Sequence, residues 1–86
     1  MVIRILTFMK IRVGKTLDVI NTLLLVPQVK EIFYITGDYD LAVRIDGNSP
    51  EELHDTFVSS IDPIPDILSS NSSFLIKEFN KELLPR

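Results

Sequence analysis

The chain has 86 residues, 45% of them hydrophobic, with no cysteine, a single histidine and a formal charge of −3. A domain this small removes only about 60% of its unfolded surface from water, so it gains from an external brace; with disulfides excluded, oligomerisation is the favoured one. The acidic balance disfavours direct nucleic-acid binding, and one histidine without an alternating carboxylate run disfavours a metal site.

Residues 2–12 place Ile3, Ile5, Met9 and Ile11 on one parity and Val2, Leu6 and Phe8 on the other. A β-type run apolar on both faces belongs at the centre of a sheet. This start does not resemble a secretion leader, and the longest apolar run, Leu23-Leu24-Leu25-Val26, is far too short to cross a bilayer, so a soluble cytoplasmic protein is expected.

After Gly14, the apolar residues Leu17, Ile20 and Leu24 recur at helical spacing, predicting a helix over 15–25 with that stripe turned inward. Pro27 marks its end. Val29–Thr36 and Tyr39–Asp46 read as two antiparallel strands joined by Gly37-Asp38, a pair suited to a type II′ turn because glycine adopts positive φ without strain. A two-residue loop sets Ile32 opposite Val43 and Glu31 opposite Arg44, whereas a four-residue loop opposes Glu31 and Asp46, so the shorter is preferred. Ile32, Tyr34, Leu41, Val43 and Ile45 then share the face expected to be buried.

Ser49-Pro50-Glu51-Glu52 combines a capping serine, proline at the first helical position and a glutamate three residues after the cap, predicting a helix to about Ile61 with Leu53, Phe57 and Ile61 inward. Pro63 and Pro65 stop it. Ile67–Phe79 is the last strand, weakened by Ser69, Ser70, Ser72 and Ser73. A polar tail over 80–86 follows, with a short Leu83-Leu84 anchor, leaving residues 1–79 as one domain.

The order βαββαβ predicts an α+β, ferredoxin-like domain, an antiparallel four-stranded sheet with both helices on one face. The first strand is apolar on both sides, and Phe33, Ile35 and Ala42 point away from the helices, so the other face is expected to be a subunit interface.

No phosphate-binding loop, nucleophile elbow, CxxC or HExxH pattern occurs, which weakens enzymatic readings. His54, alone on a helix flank, reads as a surface residue far more readily than as a base. Asp38 and Asp40 in one turn read as turn chemistry, a cation site or an acid/base pair, and Tyr39 between them either packs under a neighbour or walls a pocket. The serine hydroxyls suit either a solvent-facing edge or a bound polar molecule.

The stretch from Val29 through Gly37-Asp38-Tyr39-Asp40-Leu41 resembles the most recognisable segment of the Lrp/AsnC effector-binding domain, and the resemblance extends over roughly residues 2–78. It is that of a stand-alone member lacking the helix-turn-helix. It implies no cofactor, and sheet-to-sheet dimers assembling into an octamer or similar ring. It also implies an amino acid bound between dimers, with Gly37, Asp38, Tyr39 and Asp40 gripping its main chain. Ser70 and Ser72 stand where the family usually places threonines, and Asp66 where it usually has glycine. The expected function is an amino-acid-responsive sensor acting alone or with DNA-binding Lrp/AsnC paralogues. The competing readings are a dimeric α+β barrel enzyme, which needs His54 or an acid to face a cavity, and an oligomerisation adaptor that binds no small molecule.

Overall fold

The six expected elements follow one another in the expected order in the computed structural model, which describes residues 1–82. They are β1 (Ile3–Ile11), α1 (Thr16–Leu23), β2 (Val29–Tyr34), β3 (Leu41–Gly47), α2 (Pro50–Thr56), continued by a π-helical turn (Phe57–Ile61), and β4 (Ile67–Phe74). The sheet order is β2-β3-β1-β4 with every neighbouring pair antiparallel. The doubly apolar strand β1 is central, as its composition requires. The proposed Leu83-Leu84 anchor lies outside the described residues.

Ile5, Met9 and Ile11 from β1 and Leu41, Val43 and Ile45 from β3 form one buried cluster with Val19, Leu23, Leu53 and Ile61, so both helices cover the same face. The β2–β3 register is the one that the charge pairing favoured: Ile32 opposes Val43, Glu31 opposes Arg44, and Arg44 Nη1 lies 2.6 Å from Glu31 Oε1. A bulge between Val29 and Glu31 interrupts the pairing below that point.

Four local expectations change. Helix α1 turns Val19 and Leu23 inward and leaves Leu17 and Leu24 at 69% and 66% exposure, because residues 17, 19, 20, 23 and 24 are all apolar and offer two stripes between which sequence alone does not choose. Its last turn tightens, with Leu25 N and Val26 N donating three residues back to Thr22 O and Leu23 O. Tyr34 ends the edge strand β2 and is 68% exposed rather than buried. Strand β4 stops at Phe74, not Phe79. Phe74 already opposes Ile5, and after the bond from Leu75 N to Arg4 O the partner strand β1 runs out.

The second helix starts as its sequence dictates, with Ser49 Oγ accepting from Glu52 N at 3.1 Å. The reciprocal bond shifts by one residue, Glu52 accepting from Asn48 N at 2.7 Å. That amide, helped by the Gln28 side chain, holds the Glu52 carboxyl below its ordinary pKa. From Phe57 the helix widens into the π turn, closed by Asp62 N to Phe57 O at 2.7 Å.

Gly47, the last residue of β3, lets α2 approach the sheet: a Cβ built there lies 2.7 Å from Leu53 Cγ, and Leu53 is buried. Gly47→Ala is therefore expected to cost about 1–3 kcal/mol through overpacking. Urea denaturation checks this, and an unchanged midpoint would show that α2 is free to move.

Candidate functional site

Regular pairing of β2 and β3 ends at Tyr34 and Leu41, and a single further backbone bond, Ile35 N to Asp40 O at 2.9 Å, carries the register into the turn. Gly37 has φ +106°, a conformation that favours glycine, as the turn assignment requires. Asp40 is also tied sideways to the central strand: its N–H donates to Met9 O at 2.9 Å, and its Oδ2 accepts from Ile11 N at 2.7 Å. Its carboxylate therefore anchors the turn to the end of β1. Asp38 is exposed.

The half-buried Tyr39 leans the turn toward the sheet face opposite the helices, its ring centroid 5.8 Å from that of Phe8 at a 47° tilt. Cross-strand neighbours place Leu6, Phe8, Phe33, Ala42, Arg4, Arg44 and Asp46 on that face. Phe33 is 49% exposed there. Between the apolar side chains runs a charge chain: Arg44 contacts Glu31 and Asp46, Asp46 lies 3.7 Å from Arg4, and Arg4 reaches Glu78 at 3.3 Å. Arg4 Nε, Arg44 Nε and Asp46 Oδ1 are nevertheless buried without a hydrogen bond.

Ser70 and Ser72 take a different position. Ser70 opposes Met9 and Ser72 opposes Thr7, so both point to the helix side, and Ser72 Oγ lies 2.8 Å from Thr7 Oγ1, whose residue is fully buried. Within one protomer the structure joins Gly37, Asp38, Tyr39 and Asp40 but keeps the two serines across β1, about 10 Å away at ordinary strand spacing. Both groups flank the same end of β1, near Met9. Among the described residues, four of the cavities that dent the surface measure about 260 to 340 Å³, and these are lined by no residue of the turn.

His54 is exposed on α2. Among the described residues no group of histidine, aspartate and glutamate is arranged to hold a metal, and no helix is long and apolar enough to cross a membrane. Sequence reasoning missed the structural use of Asp40, since its bond to Ile11 spans 29 positions and has no local signature.

Comparisons with known proteins agree with this architecture. The family model described as "Lrp/AsnC ligand binding domain" matches residues 6–84. The HTH-type transcriptional regulator FL11 of Pyrococcus horikoshii is 32% identical over 68 residues, 79% of this chain and 44% of that protein, so the chain spans less than half the length of this relative. A homocitrate synthase of Sulfurisphaera tokodaii is 32% identical over 63 residues, 73% of this chain but 14% of the synthase. Among solved structures, PHS023 from Pyrococcus horikoshii superposes with a TM-score of 0.82 at 29% identity, covering 91% of this chain and 93% of that one. FFRP-DM1 gives 0.82 at 27% identity, covering 86% and 99%. The regulator NMB0573 of Neisseria meningitidis, solved as a complex with L-Met, shares the fold with a TM-score of 0.77 at 18% identity, covering 91% and 52%.

Proposed function

The chain belongs to the Lrp/AsnC ligand-binding domain family, a family of regulatory effector-binding modules, and on that premise we propose that it senses a free amino acid at Gly37–Asp40. The observation that carries this reading is the division of labour in the turn. Asp40 Oδ2 is committed to Ile11 N, while Asp38 projects into solvent. A zwitterion fits this arrangement: its carboxylate would take backbone N–H groups around Gly37, and its ammonium the carboxylate of Asp38 and the second oxygen of Asp40.

The turn is one wall of a pocket rather than a whole one, and it lines none of the four cavities described above. A second subunit supplies the rest, and Ser70 and Ser72 are candidates to contribute from a neighbouring copy. The open sheet face suits dimerisation, because its alternating charges and apolar side chains are self-complementary in a two-fold interface. Ligand binding between subunits would shift assembly in proportion to its different affinity for the two states. That bias is the proposed signal, read in the cytoplasm by this protein alone or by DNA-binding relatives sharing its interfaces.

Two neighbours make the reading concrete. NMB0573 was crystallised with L-Met, and a segment similar to this chain occurs within a homocitrate synthase as well as in regulators, as expected of a sensor attached to different outputs. A thermal-shift panel of the common amino acids tests the proposal. A concentration-dependent rise in Tm for a small subset is expected, and no response to any of them would contradict it.

A further inference from the structure

We propose that the cleft between α1 and the segment leading into β4 is a second small-molecule site, selective for a primary alkylammonium group carried on a short apolar body. The cleft measures about 340 Å³, at the small end of ligand pockets. Val19, Pro63, Ile64 and Pro65 supply its apolar lining, and Asp18, Thr22, Ser60 and Asp66 its polar atoms.

The polar rim is short of donors. Thr22 Oγ1 already gives its proton to Asp18 O at 3.1 Å, so it has only lone pairs left, the two carboxylates accept, and the Ser60 hydroxyl is the one side-chain donor on the rim. The nearby cations do not line the cleft. Arg12 Nε lies 3.3 Å from Asp66 Oδ1 and Lys15 Nζ 3.8 Å from Asp18 Oδ2, each touching one oxygen of its partner. The second oxygen of each acid is left for a guest that donates. Asp66 is the better placed of the two, because its side chain is only 25% exposed and its carbonyl is held by Arg12 N at 2.9 Å.

The π turn provides a second reason to look here. It brings Ser60 to the cleft while Ile61 stays in the core, and such widened turns concentrate at functional sites. A carboxylate or a zwitterion fits poorly, since its anionic group would meet Asp18 and Asp66 with only the Ser60 hydroxyl to receive it. The ligand class therefore differs from that proposed for the Gly37–Asp40 turn, and the inference does not rest on that reading.

Amide-resolved NMR titration of the full chain with n-butylamine and 1,4-diaminobutane tests it, with butan-1-ol and butyrate as size-matched controls. Saturable shifts at Asp18, Val19, Thr22, Ser60 and Ile64 are expected with the amines only. They should weaken about tenfold or more in Asp18→Asn and in Asp66→Asn, as loss of a charge-assisted hydrogen bond predicts, and remain unchanged in Asp38→Asn. Asp18 is exposed, so its variant is expected to fold even where Asp66→Asn does not. Shifts that never saturate, that appear equally with butan-1-ol, that survive Asp18→Asn at full strength, or that are confined to the Gly37–Asp40 turn would each overturn the proposal.

Discussion

Asp40→Ala is expected both to destabilise the fold and to remove the amino-acid response. Ile11 is buried, and its amide loses a 2.7 Å acceptor in this variant. An unsatisfied buried donor costs about 1–3 kcal/mol, so the urea midpoint should fall by that equivalent. Loss of the carboxylate also removes a charged partner for the ligand's ammonium, worth about tenfold or more in affinity. Two further variants separate these effects. Asp40→Asn retains an oxygen for Ile11 N and should keep most of the stability while weakening binding, and Asp38→Asn should weaken binding with no stability change, since Asp38 is exposed. An Asp40→Ala protein as stable as the parent would refute the anchoring role, and full affinity in both asparagine variants would refute the zwitterion grip.

Phe8→Glu should dissociate the protein. Phe8 sits mid-strand on the open face, between Ala42 and Asn71 and against Tyr39, where a dimer would bury it. The Arg44 guanidinium on that face already pairs with Glu31 and Asp46, so a carboxylate at position 8 competes for a partner in use, and an unpaired buried charge costs several kcal/mol, enough to lose a small dimer interface at micromolar concentration. Because Phe8 is only half-buried in the protomer, the subunit itself should stay folded by circular dichroism. Light scattering is expected to give a monomer for Phe8→Glu and a dimer or larger for the parent. A monomeric parent, or a variant that assembles normally, would contradict the interface.

The parts of this structure legible in sequence are those set by local chemistry. The two-faced apolar run of β1 placed it centrally, the Glu31 and Arg44 charges chose the hairpin register, and Ser49-Pro50-Glu52 marked the start of α2. What was not legible depended on long-range ties or on degenerate patterns. The phase of α1 was ambiguous because its leucines and Val19 form two stripes, and only packing against β1 and β3 selects Val19 and Leu23. The serines of β4 gave no contrast in polarity between faces, so nothing local assigned Ser70 and Ser72 to the helix side. The bulges between Lys10 and Ile11 and between Val29 and Glu31 leave no compositional mark.

The candidate site divides the same way. Gly37-Asp38-Tyr39-Asp40 was readable as a turn of unusual chemistry, and the structure gives each residue a separate position: Gly37 at positive φ, Asp38 in solvent, Tyr39 on Phe8 and Asp40 on β1. The sensing account requires that a neighbouring subunit complete what this turn begins.

Native mass spectrometry of the purified protein, with and without the amino acid that raises its Tm, tests that requirement most directly. The account predicts an assembly of two or more subunits that retains the amino acid only in the assembled form, with a subunit distribution that shifts when the ligand is added. A monomer that binds the amino acid at full occupancy, or an assembly indifferent to every amino acid, would contradict it.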